Sequence, residues 1–221
     1  MRLGSVAIDT PANYRGTPMY VAALKGHVSA IETLVRLGST AIDTPDKYGR
    51  TPMHAAAENG HMSAIGTLVR LGSKAIDTPN EDGQTPLYTA AQNGHASIIE
   101  TLVRLKSKVI DTTDNDGWTP MHVAALNGHA SVIETLVRLK SKTIDTQNKG
   151  GWTPICTAVY MGTESCLKTF KILGADLSTV RREDAESEML KCLDDPIDEE
   201  ESFELRYRFY FNQALTALRL E

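Results

Sequence analysis

The dipeptide Thr-Pro recurs at Thr17, Thr51, Thr85, Thr119 and Thr153, each thirty-four residues after the last. The block around it recurs as well: TPMYVAALKGHVSAIETLVRLGSTAIDTPDKYGR is followed by TPMHAAAENGHMSAIGTLVRLGSKAIDTPNEDGQ and by two further copies. Self-similarity at a period of roughly 20 to 50 residues signals a stacked array, in which each unit buries its apolar side against its neighbours and not in one central core. That constrains the chain more tightly than its length of 221 residues, which alone suggests one or two compact domains.

Within a block the local signals agree with one another. Thr17 is a good N-cap, and Pro18 suits the first helical position, where its missing N–H costs nothing. The apolar run through Met19, Val21, Ala22, Ala23 and Leu24 stops at Gly26, which permits a left-handed helix end. A second helix is expected from about Ser29, because Ser29 with Glu32, Ser97 with Glu100 and Ser131 with Glu134 have capping-box spacing. Ile31, Leu34, Val35 and Leu37 follow as its expected buried face, and Gly38 closes it. Ser39 to Arg50, rich in Pro, Gly and Asp, reads as an extended link with a tight turn.

Helix, turn, helix and projecting loop, with Thr-Pro-x-His and Gly-His in fixed places, resembles the ankyrin repeat. The family pattern of Gly-x-Thr-Pro-Leu-His, two alanines and then Gly-His stands nearly complete as Gly49 to His54, Ala56, Ala57, Gly60 and His61. The resemblance covers Met1 to about Leu177. It implies an all-α ankyrin-repeat solenoid of helix-turn-helix units with projecting hairpin-like loops and a helical C-terminal cap. Two departures stand out. Each block has thirty-four residues, not the family's usual number of about thirty-three, with one residue added just before Ile42, Ile76, Ile110 and Ile144. Tyr20, Tyr88 and Cys156 also replace the family histidine, which puts that histidine's local hydrogen bonds in question there.

The expected division is a partial N-terminal repeat and loop over 1–16, repeats over 17–50, 51–84, 85–118 and 119–152, a divergent repeat over 153–180, and an acidic helical cap or extension over 181–221. Met1 to Ser5 (MRLGS) aligns with Val35 to Ser39 (VRLGS), so the chain reads as a fragment of a longer array, with an uncapped N-terminal face open to self-association. From Arg181 to Glu204 the charges are three basic and eleven acidic, a net of −8 against −5 for the whole chain. Glu183 to Leu193 reads as a degenerate helix ended before Pro196. A last helix is expected from Asp198 to about Leu220, with Phe203, Leu205, Phe209, Leu215 and Leu218 on its apolar face.

Chemistry is excluded more readily than assigned. With 41% hydrophobic and 23% charged residues the composition is that of an ordinary folded chain. No apolar run approaches the ~18 residues of a membrane span, so no membrane insertion is expected, and the N-terminus lacks a secretory signal. The expected location is cytoplasmic, or a host cytosol if the parent is a secreted effector. Three cysteines, an odd number without a Cys-x-x-Cys pair, argue against a disulfide framework or structural zinc. A pI near 5.7 argues against nucleic acid as a partner. His27, His61, His95 and His129 share one slot, and His54 and His122 another. Stacked units keep such positions roughly 10 Å apart, too far to share a metal, so a structural hydrogen-bonding role is expected. No sequence of a known catalytic type is present, and no catalytic, cofactor-binding or metal residue is assigned and no cofactor expected. The ladder Arg2, Arg36, Arg70, Arg104 and Arg138 reads as a solvated face, with Arg36, Arg104 and Arg138 paired within the helix to Glu32, Glu100 and Glu134 and Gly66 denying Arg70 that partner. Lys106 and Lys140 replace the helix-ending Gly38 and Gly72, at a cost on the order of 1 kcal/mol each if that position is left-handed.

What remains is a recognition surface. In ankyrin-repeat proteins, partners commonly bind a concave side made of loop tips and the exposed side of the first helix. By that resemblance the candidate protein-binding residues are Tyr14, Leu24, Tyr48, Arg50, Glu58, Gln84, Gln92, Trp118, Leu126, Trp152 and Tyr160. They lie where the copies differ most. Trp118 and Trp152, the only tryptophans, occupy equivalent loop positions and are expected to project side by side. The function expected is non-catalytic: a protein–protein interaction module for a protein partner. The alternative is the targeting part of a larger enzyme or secreted effector whose active domain lies outside this chain.

Overall fold

The computed structural model describes residues 8–11, 16–180 and 193–194. They fall in two compact units, Met1–Asn115 and Asp116–Glu221. The first holds three helix pairs: α1 (Pro18–Leu24) with α2 (Val28–Arg36), α3 (Pro52–Glu58) with α4 (Met62–Arg70), and α5 (Pro86–Gln92) with α6 (Ala96–Arg104). The second holds α7 (Pro120–Leu126) with α8 (Ala130–Arg138), and α9 (Pro154–Tyr160) with α10 (Glu164–Leu173). In the first unit α1 packs on α3 and α3 on α5, while α2 packs on α4 and α4 on α6; in the second, α7 packs on α9 and α8 on α10. Each unit is therefore a two-layered stack, and the fold is an all-α helical repeat solenoid with no strand among the described residues. The proposed N-terminal partial repeat is described only at residues 8–11 and 16. The C-terminal cap lies outside the described residues except for Leu193 and Asp194, which are helical, with Leu193 buried.

Each first helix begins as its sequence demands. The Thr17 and Thr85 hydroxyls accept from the N–H three residues on, and a proline follows each cap. At the other end of α1 the His27 N–H reaches the Ala22 carbonyl at 2.9 Å and the Gly26 N–H reaches Ala23 at 3.1 Å, the paired bonds of a Schellman motif. Gly26 has φ +69°, and a Cβ there would stand 2.7 Å from Nδ1 of His61. Glycine is thus required twice, by its backbone and by the ring of the next pair. The core repeats with the sequence: Met19, Met53, Leu87, Met121 and Ile155 occupy one position of successive first helices and are all buried.

The second helices correct three expectations. They start at Val28, Met62, Ala96 and Ala130, capped by the preceding histidine without a side-chain hydrogen bond. The Schellman turn is so tight that the His27 carbonyl already accepts from Ala30 and Ile31, which leaves Ser29 inside the first turn and not at the cap. Capping boxes do occur, on the first helices, where Thr51 pairs with His54 and Thr119 with His122. Leu37, assigned to the buried face, is 63% exposed because it is the C-cap, already off the helical stripe. Arg70 finds a partner despite Gly66: its Nη2 lies 2.6 Å from Glu32 Oε1, on the neighbouring second helix. Both groups are exposed, so this pair contributes at most about 1 kcal/mol.

The links are more structured than their composition suggests. Ala41–Asp43 and Ala75–Asp77 form turns of 3₁₀ helix, and Ala41, the residue added before Ile42, is buried. Asp43 accepts from the Ser73 hydroxyl and, at 2.9 Å, from the Lys74 N–H; Asp77 does the same for Ser107 and Lys108. Link tips join as well, the Glu81 N–H reaching the Tyr48 carbonyl and, in the second unit, the Lys149 N–H reaching Asp116, both at 3.1 Å.

Lys106 and Lys140 sit at φ +71° and +66°, where Gly38 and Gly72 have +95° and +98°. An L-residue is strained there by roughly 1 kcal/mol. Lys106→Gly and Lys140→Gly are each expected to raise unfolding free energy by about that amount in urea titrations, and a loss of stability would contradict this account. Gly66 lies inside α4, and a Cβ there meets no atom within 4 Å. Gly66→Ala is therefore expected to stabilise by about 0.5 to 1 kcal/mol, read the same way.

Candidate functional site

One slot on each first helix ties that helix to the link that follows. His54 Nδ1 accepts from the Thr51 N–H at 3.1 Å while Nε2 donates to the Gln84 carbonyl at 2.9 Å. His122 repeats this with Thr119 at 3.2 Å and the Trp152 carbonyl at 2.8 Å. Where tyrosine stands instead, the bond changes: the Tyr88 hydroxyl donates to Asp114 Oδ2 at 2.7 Å, and the Tyr20 ring centre lies 6.0 Å from the guanidinium of Arg50, which Asp46 holds. The residue twenty-six positions after the slot is Asp46 or Asp114 following tyrosine, and Asn80 or Asn148 following histidine. A phenol needs an acceptor; a histidine already committed at both nitrogens does not. The replaced histidines thus keep a link to the following loop by other chemistry. The histidine readings also hold at the other slot, where His61 Nε2 meets the Leu24 carbonyl at 3.1 Å and His95 Nε2 that of Glu58 at 3.0 Å.

In the first unit the link after α2 gathers Tyr48, Arg50 and Glu58. Asp46 Oδ1 accepts from the Tyr48 and Arg50 N–H groups, both at 2.9 Å, which folds the turn. The Arg50 guanidinium bonds the other Asp46 oxygen at 2.8 Å, approaches Glu58 at 3.8 Å and lies 5.3 Å from the Tyr48 ring centre. Lys47 Nζ lies 4.6 Å from the centre of the same ring. Burial would raise the Asp46 pKa, but the two N–H groups and Arg50 hold it below the usual carboxylate range. Burial pushes the Tyr20 phenol up to about 12, although Arg50 opposes this. Arg50 is thereby fixed in place beside Tyr48, which is 49% exposed.

In the second unit Trp152 meets Tyr160 edge-on, with ring centres 5.0 Å apart and planes at 83°. Tyr160 is 63% exposed and its neighbour Met161 is exposed too. Trp118 leans on His122 with ring centres 5.6 Å apart. The two tryptophans are each half-buried against a first-helix ring near in sequence. The remaining candidates are distributed along the stacks. Leu24 and Leu126 are half-buried at first-helix ends, Gln92 is exposed at another, and Gln84 is half-buried in its loop. Tyr14 lies outside the described residues.

The structure adds to the candidates Asp46, which fixes Arg50, Tyr20, whose ring lies beside it, and a recess beside Cys156 lined by Trp152 and Tyr160. The pairing of tyrosine with aspartate and histidine with asparagine was present in the repeats as a signal for the first. Among the described residues no group of three or more His, Cys, Asp or Glu side chains is placed to hold a metal ion. No described helix is long and apolar enough to cross a membrane.

A family model described as ankyrin repeats, in three copies, matches residues 5–79, 64–148 and 108–181. No curated protein matches the sequence.

His54 gives the slot a pH dependence. Burial holds its pKa below the ordinary 6.5, and its Nδ1 has no room for a proton while it accepts from Thr51. A group whose folded pKa is depressed leaves stability intact above the unfolded value, and stability falls as pH drops below 6.5 toward the folded value. Unfolding free energies measured by urea between about pH 8 and pH 5 are expected to fall less steeply for His54→Gln than for the unaltered chain; parallel curves would contradict the assignment.

Proposed function

The chain belongs to the ankyrin-repeat family, whose repeats are generally protein–protein interaction modules, and from that premise we propose that it is a non-catalytic module that captures a protein partner on its loop tips and first-helix ends. The observation that carries this reading is where the copies differ. The last residues of successive first helices are Leu24, Glu58, Gln92, Leu126 and Tyr160, while the residues just before them are Ala23, Ala57, Ala91, Ala125 and Val159, all buried. A constant stacking surface beside a varied, accessible one is what separating scaffold from recognition produces.

Two clusters offer the strongest contacts. In the first unit Tyr48 with the immobilised Arg50 presents an aromatic ring and a cation that lose little side-chain freedom on binding. In the second, Trp152 and Tyr160 present an aromatic pair of the kind enriched at binding hot spots, with Met161 exposed beside it. Among the described residues the thiols Cys156 and Cys166 are free, and the location proposed is the cytosol.

Replacing Trp118 and Trp152 together with Ala is expected to abolish partner capture from a lysate, read by mass spectrometry, with the helical circular dichroism intact. Trp152→Ala and Tyr160→Ala alone should each weaken binding by at least about thirtyfold, the mark of a hot-spot residue. Undiminished capture by the double variant would remove the second-unit patch from the site.

A further inference from the structure

The slot that ties each first helix to its link carries a ring at Tyr20, His54, Tyr88 and His122, but a thiol at Cys156. The thiol lacks most of the volume of an imidazole or phenol. Replacing a large side chain by a small one leaves space, because the surroundings relax only partly. A recess of about 70 Å³ does lie there, lined by Trp152, Cys156, Tyr160, Thr179 and Val180, with Gly150 and Gly151 adding no side-chain bulk. Trp152 and Tyr160 meet at 83°, forming an aromatic corner.

The polar groups of the recess have a definite sense. The Cys156 thiol donates to the Thr179 carbonyl at 3.1 Å and accepts from the Thr153 hydroxyl at 3.0 Å. A carbonyl oxygen has a second lone pair, and the Thr179 hydroxyl stands 3.7 Å from the same sulfur. An entering group therefore meets acceptors at one edge and ring faces and edges at its sides. That is the environment His122 satisfies one helix pair earlier, with its ring beside Trp118 and its Nε2 donating to a backbone carbonyl.

We propose that the recess beside Cys156 is a receiving slot for one planar ring bearing a hydrogen-bond donor, supplied by a tyrosine or histidine side chain of the protein partner. The ring completes from outside a position that the other helix pairs complete from within. That it arrives on a protein rests on the interaction reading above; that the slot takes such a ring rests on the recess itself.

The test uses the full chain and small probes, 4-methylphenol and 4-methylimidazole for the two side chains and toluene as a ring without a donor. In nitrogen-15 correlation spectra, either donor-bearing ring is expected to shift the Trp152 indole N–H and the Cys156 amide saturably, with toluene at least tenfold weaker. Cys156→Tyr and Cys156→His fill the slot as the other helix pairs do and should weaken probe binding at least tenfold, whereas Cys156→Ser should retain it. No saturable shift in the unaltered chain, or equal shifts in the two filled variants, overturns the proposal. Shifts that emerge only after Tyr207→Ala and Tyr210→Ala overturn the assignment to a partner and give the slot to this chain's own tail. Partner capture lost in Trp152→Ala but kept in Cys156→Tyr overturns the ring while sparing the interaction module, so the two readings fail separately.

Discussion

Hydrogen bonds that leave one helix pair and land on the next hold this architecture together, because helices of seven to ten residues are too short to persist alone in water. Asp43 takes the Ser73 hydroxyl and the Lys74 N–H, His54 reaches the Gln84 carbonyl, and His61 reaches back to Leu24. In the second unit His122 holds the Trp152 carbonyl, and Asp145 takes the Asp176 N–H at 2.8 Å. The histidine bonds satisfy part-buried carbonyls that stacking would otherwise strand, at a cost of about 1 to 3 kcal/mol apiece, while the Lys74 and Asp176 N–H groups are held at exposed positions. Stability is then mostly a sum over neighbours, to which exposed groups such as the Arg70–Glu32 pair add little, so exposed positions are free to vary.

That freedom is what makes the exposed positions available for recognition. The slot residues show how closely the hidden side is held by comparison. Tyr88 requires the acceptor oxygen of Asp114, while His54 stands with Asn80, whose Oδ1 accepts from the Asp82 and Gln84 N–H groups and whose Nδ2 donates to the Gln84 side chain. Aspartate and asparagine both fold the turn, but only aspartate has a second acceptor oxygen to offer a phenol. Two residues far apart in sequence therefore change together. Leu126 and Tyr160, at first-helix ends, differ without any such partner change.

Much of this could be read from the chain. The period, the helix pairs, the threonine caps and the left-handed helix ends are local or recurrent signals, and so was the strain at Lys106 and Lys140, since glycine stood in their place elsewhere. The capping box misled at Ser29 because its spacing is met by chance inside a first turn, and the Schellman geometry decides the start. Leu37 misled because the helical stripe was carried one residue past the helix end. The Asp43 and Asp77 clamps are not legible in the sequence, because any feature recurring at the period looks like repetition and not like a bond between copies. The candidate site was legible as a set of varied positions, but not as groups.

By itself the sequence determined the repeating helix pair, the face each helix buries and the positions left free to differ, because these follow from periodicity and from signals acting within about four residues. Only the tertiary structure decided that Arg50 is pinned by Asp46, that Trp118 and Trp152 each lean on a ring of a first helix, and that a recess opens beside Cys156. Those outcomes depend on what separate segments bring to the same place, and side-chain identity alone does not say which neighbour will be there to meet it.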